Sequence, residues 1–440
     1  MFEIAAAAWM FPALFVLVFL GFPVAFSLFS ISLVFGYAIF GPALGAQLFG
    51  RVLDISSNLI LAAIPLFVFM GSMLQSSGIA KRLFEATRVW LGRLPGGLSV
   101  TSIVMCAIFA ATSGIIGAVE IVVGLMAIPA MVSAKYSKSL ISGTICAGGA
   151  LGTIIPPSIV VVIYASIADM SVGDLFAGIM IPGAAMVALF IIYILVSSWM
   201  NPAIAPPIPA EDLQMPLKAK LWLTFTALIP CTALIVAVLG SIFAGVASPT
   251  EAAAVGALGA VLLSMAYGEF SFKVFAKALR QTVLITSMVI LIIAGGVLFS
   301  SIFIVGGGKD LVNQMIGAFD LGPMGMIALF LGIIFLLGFI LDWISVVLVT
   351  IPIFDPLIRQ AGIDPVWFGV MVCVTLQTSY LTPPMAPSIF FLRSIAPKDF
   401  SYKDMYWGVT PFVVMQLVTL FVVMALPWTA TYLPQILFRL

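Results

Sequence analysis

The sequence predicts an all-α integral membrane protein: an inverted-topology repeat with two re-entrant helical hairpins and two broken transmembrane helices. Three observations carry this prediction. The 440 residues are 63% hydrophobic and 8% charged, with a mean hydropathy of +1.27, far from the roughly one-quarter charged content of soluble domains. Apolar runs of about 20 residues, enough to cross about 30 Å of hydrocarbon, recur along the whole chain. Two of them are interrupted by proline doublets, Pro156-Pro157 and Pro383-Pro384. Each doublet removes two backbone donors and breaks the helical ladder. At bilayer depth such backbone survives only inside protein or beside a polar cavity, and matching breaks in two halves of a chain point to the binding site of a secondary transporter.

The elements follow in order. The first apolar run, about residues 11–40, is too long for a signal peptide's apolar core and lacks a basic leader, which predicts one retained helix; with that single crossing the N-terminus is expected in the cytoplasm. Residues 46–54 are amphipathic and predict an interfacial arm helix. Basic loops prefer the cytoplasm. Lys81, Arg82, Arg88 and Arg93, then Lys135 and Lys138, therefore lie inside, and Asp169 and Asp174 lie outside. An even number of crossings between Arg93 and Lys135 predicts a hairpin over about 97–132, with its tip at Thr112, Ser113, Gly114 and Gly117. A broken helix over about 138–168 follows, with Gly152, Thr153, Pro156 and Ser158 around its break.

The polar, proline-rich stretch 201–220 predicts a linker, leading into a connecting spanning helix that ends near 246. In the second half, residues 270–280 predict another arm, placed inside by Lys273, Lys277 and Arg280. The weakly acidic segment 309–320 and the segment carrying Asp355 and Asp364 lie outside. A hairpin over about 323–357 is thus predicted on the outer face, its tip bearing Gly338, Asp342 and Ser345. A broken helix over about 366–396 follows. Thr378, Ser379 and Thr382 precede its break, and Met385 and Ser388 come after the first proline of its doublet. Lys398 and Lys403 return the chain inside, and a last span predicts a periplasmic C-terminus.

The repeat is visible in spacing. The doublets lie 227 residues apart (383 minus 156), and the same offset brings Cys146 onto Cys373 and hairpin position 114 onto 341. The predicted organisation is a first repeat over 1–200, a connection over 201–246 and a second repeat over 247–440.

Composition also narrows the chemistry. Histidine is absent, and Cys106, Cys146, Cys231 and Cys373 stand singly in apolar segments. That excludes His-based acid–base and metal chemistry and gives no cysteine metal spacing, so no enzyme is expected. The net charge of +1 gives no nucleic-acid signal. Where a helix unwinds, freed carbonyls and nearby hydroxyls suit a desolvated Na⁺, while half-helix N-termini suit anions. Candidate Na⁺ ligands are Thr112, Ser113, Gly114, Gly117, Gly152, Thr153, Pro156, Gly338, Asp342, Ser345, Thr378, Ser379, Thr382 and Met385. No other metal and no cofactor is expected.

Ser158, Ser388 and Arg393 are candidates for an anionic substrate; Arg359 and Arg393 either bind it or sit at an interface. Asp342 either neutralises a cation or caps the hairpin helix. Glu120, deep in apolar sequence, is either structural or proton-linked.

Several ordered stretches resemble the large membrane subunit of TRAP transporters: 152–158 (GTIIPPS), 171–178 (SVGDLFAG), 248–254 (SPTEAAA), 351–356 (IPIFDP), 362–365 (GIDP) and 381–384 (LTPP). The resemblance spans essentially the whole chain. It implies a bacterial inner-membrane symporter, driven by Na⁺ and working as an elevator, that takes an organic acid from a periplasmic binding protein beside a small four-helix membrane subunit on a separate chain. On this reading 97–171 and 323–397 form the transport domain and the remainder the scaffold. The inner tip departs from the family's usual run of serines and alanines, which shifts coordination towards backbone carbonyls. Alternatives are a stand-alone inverted-repeat carboxylate carrier and a channel or membrane scaffold.

Overall fold

The computed structural model describes residues 2–113, 116–208, 215–318, 322–383 and 386–438, and among these the regular structure is helical throughout. The first half contains α1 (Phe2–Phe19), α2 (Val24–Phe40), α3 (Leu44–Ser57), α4 (Ala63–Ser76) and α5 (Ile79–Leu91). A hairpin of α6 (Gly97–Ser113) and α7 (Ile116–Ser133) follows, then the broken pair α8 (Lys138–Ala150) and α9 (Ile159–Ile167), and α10 (Val172–Met200). The second half contains α11 (Leu217–Phe243), α12 (Pro249–Ala266), α13 (Phe272–Phe303) and α14 (Lys309–Ala318). Its hairpin is α15 (Pro323–Leu337) and α16 (Trp343–Gln360); its broken pair is α17 (Pro365–Leu381) and α18 (Pro387–Ile395), followed by α19 (Tyr402–Ala425) and α20 (Trp428–Phe438).

Eight helical stretches among the described residues are long and apolar enough to cross a membrane. Large apolar side chains stand exposed on them, among them Trp199, Trp222, Val283 and Phe421, as expected of a surface solvated by lipid tails rather than water. The helix starts have local causes. Ser171 accepts from the Asp174 amide, Ser248 forms a capping box with Glu251, and Ser401 forms one with Asp404. The sequence match between 171–178 and 401–408 is therefore a shared N-terminal helix signal placed after each broken helix.

Three features differ from the sequence reading. The expected single helix over 11–40 is two helices, because Gly21 takes φ +90° and Pro23 offers no amide at the turn. A Cβ built on Gly306 would lie 3.0 Å from Ile39 Cδ1 and 3.9 Å from the Ala7 nitrogen, so the start of α1 and the end of α2 reach one level. The cytoplasmic N-terminus rested on a single crossing there and loses that basis. In the second half the expected arm over 270–280 is continuous with its span in the 32-residue α13, capped by Ser271.

The third difference concerns α10 and α19, assigned to the scaffold from sequence, which pack tightly on the broken helices. A Cβ on Gly143 of α8 would lie 2.0 Å from the Gly408 carbonyl of α19, and one on Gly408 would lie 2.1 Å from the Ser139 carbonyl. Trp367 of α17 donates to the Val423 carbonyl of α19 at 2.7 Å, and Phe190 of α10 meets Phe412 of α19 edge-on. Both α10 and α19 therefore lie directly against the elements that carry the breaks. An additional interfacial helix, α5, buries Ile79, Leu83 and Phe84 and turns Lys81 and Arg82 outward.

Candidate functional site

The first break is closed by its own polar groups. After α8 the chain makes one tight turn at Leu151–Thr153, whose Leu151 carbonyl accepts from the Ile154 and Ile155 amides. The Pro156–Pro157 peptide is cis. The Ser158 hydroxyl donates to the Thr153 carbonyl at 3.0 Å, spanning the break. Thr153 Oγ1 donates to Gln377 Oε1 at 3.0 Å, which ties the first break to α17, and the Gln377 amide reaches Met186 Sδ of α10. Gln377 was not a candidate from sequence. Its signal was available, since an amide lies beside Thr378 and Ser379 in a predicted membrane helix one turn ahead of the second break.

The second break runs from Thr382 to Ala386. Thr382 Oγ1 donates to the Thr378 carbonyl at 2.6 Å, and Ala386 sits at φ +39° before Pro387 opens α18. Thr378 and Ser379 donate back to Val374 and Leu376. Each of these hydroxyls gives its proton to a carbonyl, which leaves the oxygen lone pairs available to a cation. Met385 and Gly114 lie outside the described residues, as does the Ser113 side chain.

Both hairpin tips reach the second broken helix. A Cβ on Gly338 would lie 2.2 Å from Ser379 Oγ, and one on Gly117 would lie 2.7 Å from the Phe391 ring of α18. Asp342 caps α16: it accepts from the Ile344 and Ser345 amides at 3.1 and 3.3 Å and from Ser345 Oγ at 2.5 Å. Thr112 donates to the Phe109 carbonyl within its own helix. Ser388 donates to Glu120 Oε1 at 2.6 Å, joining α18 to α7. Gly152 is buried in the turn ahead of the first doublet.

Gly117, Gly338, Asp342, Ser379, Tyr380 and Pro387 all line one cavity of about 680 Å³, together with Ile159 of α9 and with Val24, Ile285 and Met288. A neighbouring cavity of about 340 Å³ shares Gly117, Ile285 and Phe391 with it and continues past Gln75 and Gln281 to Lys277. Lys277, one of the basic residues of α13, thus lies beside the cavity that adjoins the site.

The two arginines are elsewhere. Arg393 donates to the Phe400 carbonyl at 2.7 Å and stacks over Tyr402. Arg359 pairs with Asp355 at 2.7 Å and donates to the Ala168 carbonyl, closing the C-terminus of α9. Neither is brought to the cavity.

Broken helices and hairpin tips meeting at one cavity inside an apolar helical body define a multi-pass membrane transporter built on an inverted repeat. The chain belongs to the family of the DctM component of tripartite ATP-independent periplasmic transporters, whose sequence model matches residues 11–429. It is 30% identical over 405 residues to the C4-dicarboxylate TRAP transporter large permease protein DctM of Pseudomonas aeruginosa, covering 90% of this chain and 91% of that one. It is 29% identical over 436 residues to the ectoine TRAP transporter large permease protein TeaC of Halomonas elongata (96% and 97% covered). The sialic acid TRAP transporter large permease protein SiaM of Vibrio cholerae is 29% identical over 429 residues (96% of each). Among solved structures, the YdaH transporter of Alcanivorax borkumensis is alike in fold, with a TM-score of 0.61 at 15% identity over 97% of this chain and 98% of that one.

Proposed function

We propose that this permease drives uptake of an organic acid anion with Na⁺, receives it from a periplasmic binding protein, and works in the bacterial inner membrane beside a small membrane subunit. The observation that carries the reading is the shared cavity: both tips and both broken helices contribute to it, in a chain of the TRAP large-permease family. The relatives' names span C4-dicarboxylates, ectoine and sialic acid, which supports the transport class and leaves the individual acid to the binding protein.

Na⁺ binds at the two breaks, through carbonyls that prolines leave without intrahelical partners and through the hydroxyls of Thr153, Thr378, Ser379 and Thr382. Cation binding offsets the negative field of those carbonyls, so an anion enters between the tips, beside Ser388 and the N-terminus of α18. The loaded body, with α10 and α19 attached, then moves across the membrane. Translation of an empty site is disfavoured because unpaired carbonyls would enter a dry interface.

The test is uptake by the reconstituted complex with its binding protein, after a thermal-shift panel of organic acids has identified the acid. Uptake should be abolished when Na⁺ is replaced by K⁺. Undiminished uptake with neither Na⁺ nor a proton gradient overturns the mechanism.

A further inference from the structure

One fully buried carboxyl group, that of Glu120, has no counter-charge among the described residues. Glu120 is fully buried; its Oε1 accepts from Ser388 Oγ at 2.6 Å, and its Oε2 has no hydrogen-bond partner. The titratable groups facing it are Cys106 of α6, Cys146 of α8 and Tyr380 of α17, all neutral as thiols or phenol. Nothing else charged lies on α7. On α5, which also packs against α7, Arg88 pairs with Glu85, Arg82 with Glu269, and Lys81 is exposed. Arg393 of α18 is committed to Phe400 and Tyr402. An ionised carboxylate in such a place is strongly disfavoured, so its charge is cancelled by something brought from outside the chain.

The packing decides what that is. A Cβ on Gly149 would lie 1.8 Å from Glu120 Cγ, and one on Gly148 would lie 2.7 Å from Cys106 Sγ. Glu120 lines neither cavity of the site. A sodium ion needs several oxygen ligands and room for itself; among the described residues the groups around the carboxyl are the Ser388 hydroxyl, the Tyr380 phenol and two thiols. A proton needs neither. We infer that Glu120 is a proton-binding site, held as the neutral acid with its proton on Oε2 and its Oε1 fixed by Ser388. Ser388 follows Pro387, which lines the large cavity, so the carboxyl is one residue removed from the wall of that cavity. The moving body then crosses the membrane without a bare carboxylate.

Infrared difference spectroscopy of the full chain in lipid vesicles at pH 7 tests this. The wild type should show a carboxylic-acid C=O band that shifts in D₂O and is lost in Glu120→Gln. Ser388→Ala keeps the carboxyl but removes the donor to Oε1, so the same band should move to higher frequency; this arm stands even if the Gln variant fails to fold. A spectrum with no acid band at pH 7, or acid bands unmoved by Ser388→Ala, overturns the assignment. The readout needs neither substrate nor Na⁺, so its failure is separable from failure of the sodium-driven reading.

Discussion

Ser300 offers the sharpest test of how a backbone defect in a hairpin is compensated from another helix. Pro352 lies inside α16 and supplies no amide, so the Leu348 carbonyl one turn earlier has lost its helical donor. Ser300 Oγ of α13 fills that vacancy with a buried hydrogen bond of 2.7 Å, and the helices cross closely enough that a Cβ on Gly296 would lie 2.5 Å from Leu348 Cβ. Ser300→Ala strands a buried carbonyl, at a cost of about 1–3 kcal/mol. Pro352→Ala gives the carbonyl an intrahelical donor, so in that background Ser300→Ala loses only a redundant bond, worth about 0.5–1 kcal/mol. The four proteins of this cycle, unfolded at equilibrium in mixed micelles, should show a coupling of about 1–2 kcal/mol. Effects that add to within about 0.5 kcal/mol refute the compensation argument. Because the bond joins α13 to the second hairpin, Ser300→Ala should also shift the population of this arrangement by roughly 5- to 150-fold, read as altered labelling of a cysteine placed in the large cavity.

Two further outcomes follow from contacts already described. Gly143→Ala drives a methyl into the Gly408 carbonyl and should lower stability by about 1–3 kcal/mol, whereas Gly240→Ala, in α11 with nothing within 4 Å, should be neutral or stabilising by up to about 1 kcal/mol; thermal unfolding of the two variants compares them. Asp342→Asn keeps a competent N-cap and should unfold like the wild type, while Asp342→Ala should cost about 0.5–2 kcal/mol. If Asp342 also binds the coupling ion, the Asn variant will fold normally yet need more Na⁺ for half-maximal uptake.

The breaks and hairpins were legible because they are written in local chemistry: proline without an amide, and loops whose sign of charge fixes their side. The turn at Gly21-Phe22-Pro23 was not, since three residues without a charge do not interrupt an apolar run. Nor was the attachment of α10 and α19, which depends on Gly143 meeting Gly408 and on Trp367 reaching Val423. The same limit applies within the site. Thr153, Ser158, Asp342 and Ser379 stand beside breaks and tips and could be found by position. The partnerships of Thr153 with Gln377 and of Ser388 with Glu120 join residues 224 and 268 positions apart, and spacing carries no trace of them.

Those long-range pairs also bear on how equal the two halves are. The 227-residue offset places Val347, fully buried, opposite Glu120, and Ile115 opposite Asp342. The repeat therefore reproduces the backbone devices, a glycine-bearing tip and a proline-doublet break, but neither carboxylate. In the second hairpin the carboxylate sits at the tip and is consumed by a helix cap; in the first it lies one turn deeper and faces across to α18. A hairpin whose charge is spent on its own amides is rigidified at its tip. One whose carboxyl bonds to the opposite half ties its position to the state of that half, because Ser388 moves with the second break. On the proposed mechanism the first hairpin is thus tied through Ser388 to whatever the second break binds, and the asymmetry follows from two side chains rather than from the shared backbone.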